Sequence, residues 1–175
     1  MRNALLLSAV TGIALLVGVP AWAQQAVPPA APIAAPAVPQ PPMPYGMPMS
    51  LALAKKAAAA AEAEAMKTGF PSGIVIVGPN GETIYSEKMD NSNNSAVMSA
   101  EQKARGAALY RRPSQFFQER MAQAPFVVYL AGVSVIGGGI PLVVDGHIVG
   151  AIGVSGAPTS SSDAQAAQAG ADAVK

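Results

Sequence analysis

The apolar positions of this chain fall into two patterns, short β-branched runs punctuated by glycine and longer alanine-rich runs, which separate strands from helices. The most constrained stretch covers residues 137–156, where Gly138-Gly139-Ile140-Pro141-Leu142-Val143-Val144 and His147-Ile148-Val149-Gly150-Ala151-Ile152-Gly153-Val154 flank Asp145-Gly146. Asp-Gly tolerates the positive φ angles of a type I′ turn, so the two runs predict a tight antiparallel hairpin. Both of its alternating sets, Leu142/Val144/Val149/Ala151 and Val143/Ile148/Ile152, are apolar. A sheet with one wet face alternates apolar with polar residues, so this ribbon is expected to be covered on both sides.

The same reading extends along the chain. Ser50 is placed to cap a helix over 51–67, which Thr68-Gly69 and Pro71 terminate. A strand over 73–77, a turn at Gly78-Pro79-Asn80-Gly81 and a returning strand over 82–86 form a first hairpin. After a polar loop over 90–95, residues 99–110 read as a helix with Glu101 and Arg105 spaced to pair. Pro113 stops it, and Ser114 caps a short helix over 115–121 that Phe116 and Phe117 anchor to the core. A further strand is expected near 126–130, limited by Gly132, and Ser160-Ser161-Ser162-Asp163 starts a last helix to Val174. The expected fold is α+β, an α/β/α sandwich on an antiparallel sheet of about five strands, occupying residues 50–175.

The N-terminal third departs from this pattern. Arg2, an apolar run over 4–19, Pro20 and Ala21-Trp22-Ala23 have the form of a secretory signal peptide over 1–23, with cleavage after Ala23. The run is short for a bilayer core, which needs about 20 residues, so no stable membrane anchor is expected after cleavage, and a periplasmic or secreted product is. Residues 24–49, rich in proline and alanine, are expected to be a stiff, disordered linker. Within it Met43, Met47 and Met49 gather soft thioethers of a kind suited to Cu(I), although methionine is also an ordinary apolar linker residue.

Composition narrows the chemistry. Cysteine is absent, which removes disulfides, thiolate metal sites, C-x-x-C-H haem attachment and a thiol nucleophile. Eleven basic against ten acidic residues give a net charge of +1 without a basic stripe, so nucleic acid is not expected as a partner. His147 is the only histidine, which leaves no catalytic His triad partner set and no multi-histidine zinc site within one chain. It is a candidate single axial ligand to haem iron, or simply a solvent-facing residue beside a turn. Lys103, Arg105, Tyr110, Arg111, Arg112 and Ser114 cluster in sequence around one helix end, where guanidinium groups suit carboxylates and equally suit the helix dipole. Gly153-Val154-Ser155-Gly156 before the last helix offers backbone amides to an anion, or tight strand-to-helix packing, and matches no dinucleotide fingerprint.

The run Lys103-Ala104-Arg105-Gly106-Ala107-Ala108-Leu109-Tyr110-Arg111-Arg112-Pro113-Ser114, the run Gly138-Gly139-Ile140-Pro141-Leu142-Val143-Val144-Asp145-Gly146, and Gly150-Ala151-Ile152-Gly153-Val154-Ser155-Gly156 with Asp163 beyond resemble the GlcG/HbpS-like haem-binding family. The resemblance spans nearly all of the folded part. It implies a profilin-like domain, a homo-oligomer and non-covalent haem or related tetrapyrrole binding, in scavenging, storage or sensing. By motif it carries over the Arg111-Arg112-Pro113-Ser114 block and the hairpin; with Arg105 and Tyr110 of the cation cluster, Arg111, Arg112 and Ser114 are the ligand-binding candidates, and His147 stands beside them as the metal-binding candidate. No catalytic residue is assigned. Competing classes are an enzyme or accessory subunit of small hydroxy-acid or corrinoid metabolism, against which stands the lack of a nucleophile, base and orienting group at motif spacing, and copper handling by the Met-rich tract.

Overall fold

The computed structural model describes residues 42–175; the expected signal peptide over 1–23 and the linker as far as residue 41 lie outside the described residues. Helix α1, Leu51–Thr68, starts where the Ser50 hydroxyl accepts a hydrogen bond from the Leu53 amide at 3.2 Å, and it stops on Gly69 in the left-handed conformation. Strands β1, Gly73–Val77, and β2, Thr83–Lys88, form the first hairpin. Helices α2, Ala96–Tyr110, and α3, Gln115–Arg120, follow. Strands β3, Gly139–Val144, and β4, His147–Ser155, make the second hairpin, with φ of 50° at Asp145 and 75° at Gly146, the paired positive angles expected of a type I′ turn. Helix α4, Ser160–Asp172, is capped by Thr159, whose hydroxyl accepts from the Ser162 amide, one residue earlier than the sequence suggests.

The strands form one antiparallel sheet in the order β2-β1-β4-β3. Four strands replace the five expected. The apolar run at 126–130 does not join the sheet but forms a 3₁₀ turn, Pro125–Tyr129. Pro125 lacks a ladder donor and favours the first position of a helical turn, while Gly132 at φ 70° turns the chain away.

Helices cover both faces, as the two apolar sets of the hairpin require. On one face α1 and α4 bury Ala54, Ala57, Ala58, Ala61, Ala166, Ala167 and Ala171 against Ile74, Ile76, Leu142, Ile152 and Val154. These two helices run antiparallel: Gln165 donates to Glu64 at 2.7 Å, while Gly170 lies against Ala57 and Ala61. Met49 and Val174, at opposite ends of the folded unit, belong to this same apolar cluster. On the other face α2 lays Ala100, Ala104, Ala107 and Ala108 on Val75, Val77 and Ala151. The small side chains allow backbone to approach backbone, so a Cβ at Gly153 would collide with the Ala100 carbonyl and one at Gly139 with the Lys103 carbonyl. The profilin-like sandwich is thus built on alanine facing glycine.

The end of the expected linker, residues 42–49, is seated on the sheet. Where β1 ends, this strap takes over its lane beside β4: the Ile148 amide donates to the Pro44 carbonyl at 2.9 Å, and the Gly46 amide donates to the Ile148 carbonyl at 2.9 Å. Met49 is buried beneath α1 and α4.

Candidate functional site

Helix α2 organises the chemistry because its faces differ. Toward the sheet, among alanines, it carries Lys103, which is 2 % exposed and donates to Asp163 Oδ2 of α4 at 2.7 Å and to the Val154 carbonyl at 3.0 Å. The other carboxylate oxygen of Asp163 accepts from the Gly156 and Ala157 amides at 3.1 and 2.9 Å. The residues read in the sequence as a member of a cation cluster and a helix cap therefore form one buried ion pair. The glycine-rich exit of β4 closes around that carboxylate, its amides already occupied. Spacing held the clue: Lys103 lies on the buried stripe of Ala100, Ala104 and Ala107.

The candidate ligand residues are not brought together. Arg111, at the left-handed C-cap of α2, places its guanidinium 4.6 Å from the centre of the Tyr45 ring and donates to the Met43 carbonyl at 3.3 Å. The Tyr45 hydroxyl in turn donates to the Ala108 and Leu109 carbonyls at the end of α2, at 2.9 and 3.1 Å. Arg112 stacks instead on Phe116 of α3, 4.4 Å from the ring centre. The Tyr110 hydroxyl donates to the Ala131 carbonyl at 3.0 Å, and its ring meets Phe117 edge-on. Ser114 is fully buried, donating to the Ile136 carbonyl at 2.8 Å and accepting from the Gly139 amide at 2.9 Å. It fastens the loop before β3 and has no free hydrogen-bonding capacity turned to a ligand. Arg105 points outward and pairs with Glu101 at 2.9 Å.

Of these, Arg105 lines a cleft. With Gln102 of α2 and Val128, Leu130, Gly132 and Val133 of the 3₁₀ turn and the following loop, it encloses about 380 Å³. That volume sits at the lower end of the roughly 300–1,000 Å³ typical of small-molecule sites. Beside the cleft the same segment leaves Phe126, Tyr129 and Ile136 exposed, Tyr129 at 87 %. This segment carried no functional signal in the sequence, where it read as a strand. His147 is not a lining residue of the cleft; it is exposed at the β3–β4 turn, with Nδ1 2.9 Å from the Asp145 carbonyl oxygen. The side chains whose titration is displaced also lie elsewhere. Donation of its hydroxyl to Glu87, and then burial, hold the Tyr85 phenol above its ordinary range. Hydrogen bonds from Lys67 and Gln165 hold the Glu64 carboxyl below its own.

Comparison with known proteins adds a family context to this geometry. The family described as "Haem degrading protein HbpS-like" matches residues 49–172. The protein GlcG of Escherichia coli K12 is 35% identical over 93 residues, covering 53% of this chain and 69% of GlcG. Among solved structures, a double mutant of HbpS from Streptomyces reticuli superposes with a TM-score of 0.70 at 33% identity, covering 82% of this chain and 99% of that one. PduOC, solved as a complex with heme, has a TM-score of 0.67 at 21% identity, covering 74% of this chain and 96% of that one, a likeness of fold.

Proposed function

The chain belongs to the HbpS-like family, within the broader GlcG/HbpS-like group, and from that premise we propose that it is an exported protein that binds haem or a related tetrapyrrole non-covalently, for scavenging, storage or sensing. The observation that carries this reading is the cleft between α2 and the loop after the 3₁₀ turn. Its wall of Val128, Leu130 and Val133 suits the face of a flat macrocycle, and Arg105 at its edge suits a propionate, whose carboxylate would replace that of Glu101. The residues present fit one edge of such a group, the rest of which would project beyond the about 380 Å³ of the cleft. Val128, Leu130 and Val133 would hold the ring, Arg105 would orient it, and Tyr129 between two lining residues offers a phenol of the type that ligates haem iron. When bound, haem supplies a redox-active iron, while the chain supplies the apolar wall and the cation.

Export follows from the expected signal peptide, with cleavage behind Ala23 and a periplasmic or secreted product. The apolar segment bordering the cleft supports assembly as a homo-oligomer. Titration of the protein with hemin is expected to give a Soret shift that saturates at fixed stoichiometry. Val128→Asp and Arg105→Ala should each weaken it about tenfold, a change of about 1.4 kcal/mol, while His147→Ala should leave it unchanged. Absence of a saturable Soret change would overturn the reading.

A further inference from the structure

The folded strap brings together two features that lie far apart in sequence, the methionine tract and the only imidazole of the chain. Gly46, at the centre of Met43-Pro44-Tyr45-Gly46-Met47-Pro48-Met49, lies so close to His147 that a Cβ there would come 2.9 Å from the His147 Cβ. Hydrogen bonds on both sides of Ile148 fix the strap's backbone, and Arg111 and Tyr45 anchor it to the end of α2. The tract is therefore a held element with a defined neighbour. We propose that the strap and the β3–β4 turn form a Cu(I) site in which the thioethers of Met43 and Met47 and Nε2 of His147 are the ligands.

Three observations support it. First, the three methionines are not equivalent: Met49 is 7 % exposed and packed in the core, whereas Met43 and Met47 are 41 % and 83 % exposed. Packing accounts for Met49 and leaves the other two residues exposed. Second, His147 Nδ1 lies 2.9 Å from the Asp145 carbonyl oxygen, which only accepts, so in the neutral imidazole Nδ1 carries the proton and Nε2 is the ring nitrogen left to a metal. Donation of the second ring N–H to a backbone carbonyl is the arrangement that accompanies metal ligation by histidine. Third, Met43 precedes and Met47 follows the stretch of strap held against Ile148, so the two thioethers issue from backbone on either side of the point where Gly46 meets His147. Adjacent Cα atoms are about 3.8 Å apart, so Met47 begins within one residue of that contact. Neutral thioethers with one imidazole form a soft donor set suited to Cu(I) and poor for Mg²⁺ or Ca²⁺, which take oxygen ligands.

The test is anaerobic competition for Cu(I) between the protein and a chromophoric Cu(I) chelator. Wild type is expected to take one equivalent, with at least a tenfold loss of affinity in His147→Ala and in the Met43→Leu/Met47→Leu double variant. Met49→Leu, a near volume-conserving core change, should keep wild-type affinity. X-ray absorption of the Cu(I) protein should show sulfur scattering and the multiple-scattering pattern of an imidazole. Unchanged affinity in either the His147 or the double methionine variant would overturn the proposal. So would an equal loss in Met49→Leu, which would mark binding by the tract irrespective of the strap's fold.

Discussion

A lysine that is 2 % exposed requires a counter-charge, and in this protein the requirement shapes everything around it. Lys103 reaches Asp163 across 60 residues of sequence and also donates to the Val154 carbonyl near the end of β4, so one ion pair joins α2, α4 and the sheet exit. Removing one partner strands the other charge away from water. Asp163→Ala is expected to cost about 3–5 kcal/mol in urea denaturation, and the double variant Lys103→Met/Asp163→Leu should lie closer to wild type than Asp163→Ala does. The sequence did not reveal this pairing, because the charges of Lys103 and Asp163 each had a local explanation, at a helix end and at a helix cap. Only the alanine stripe on which Lys103 falls indicated burial. Ser114 has a related ambiguity: its place beside two arginines suggests a ligand, while its hydroxyl joins Ile136 to Gly139 inside the fold.

Elements governed by local chemistry were legible. The β3–β4 hairpin follows from Asp145-Gly146, whose positive φ angles the turn requires, and β1 ends where its β-branched run ends. Segments whose conformation depends on distant partners were not. Residues 126–130 have strand composition, yet they pair with neither edge of the sheet, and Pro125 starts a 3₁₀ turn instead. The last part of the proline-rich run looked like tether because proline disfavours ladders, yet two backbone hydrogen bonds to Ile148, one to Val149, the Tyr45 and Arg111 contacts with the end of α2 and the burial of Met49 seat it. The α2–sheet contact carries its own prediction. Because Gly153 meets the Ala100 carbonyl with no room for a side chain, Gly153→Val should force α2 off the sheet, and loss of the cooperative thermal transition by circular dichroism would record it.

At the scale of the molecule, the two covered faces leave the charged edge of β2 and the segment from Phe126 to Ile136 as contrasting surfaces. Strand β2 presents the exposed charge of Lys88, a residue type that discourages edge-to-edge pairing. The 126–136 segment does the opposite, exposing Phe126, Val128, Tyr129, Leu130 and Ile136 beside the cleft. If copies of the chain associate through this apolar segment, Tyr129→Lys should shift light-scattering mass toward the single chain while the far-ultraviolet spectrum stays unchanged.

The antiparallel α1–α4 pair also has a topological consequence. Since the start of α1 and the end of α4 lie at the same end of the pair, a short peptide would splice them into a ring that leaves out the strap over 42–49. Reopened in the exposed loop at Asn93 and Asn94, that ring becomes a circular permutant in which every strand register survives and only the order of translation changes.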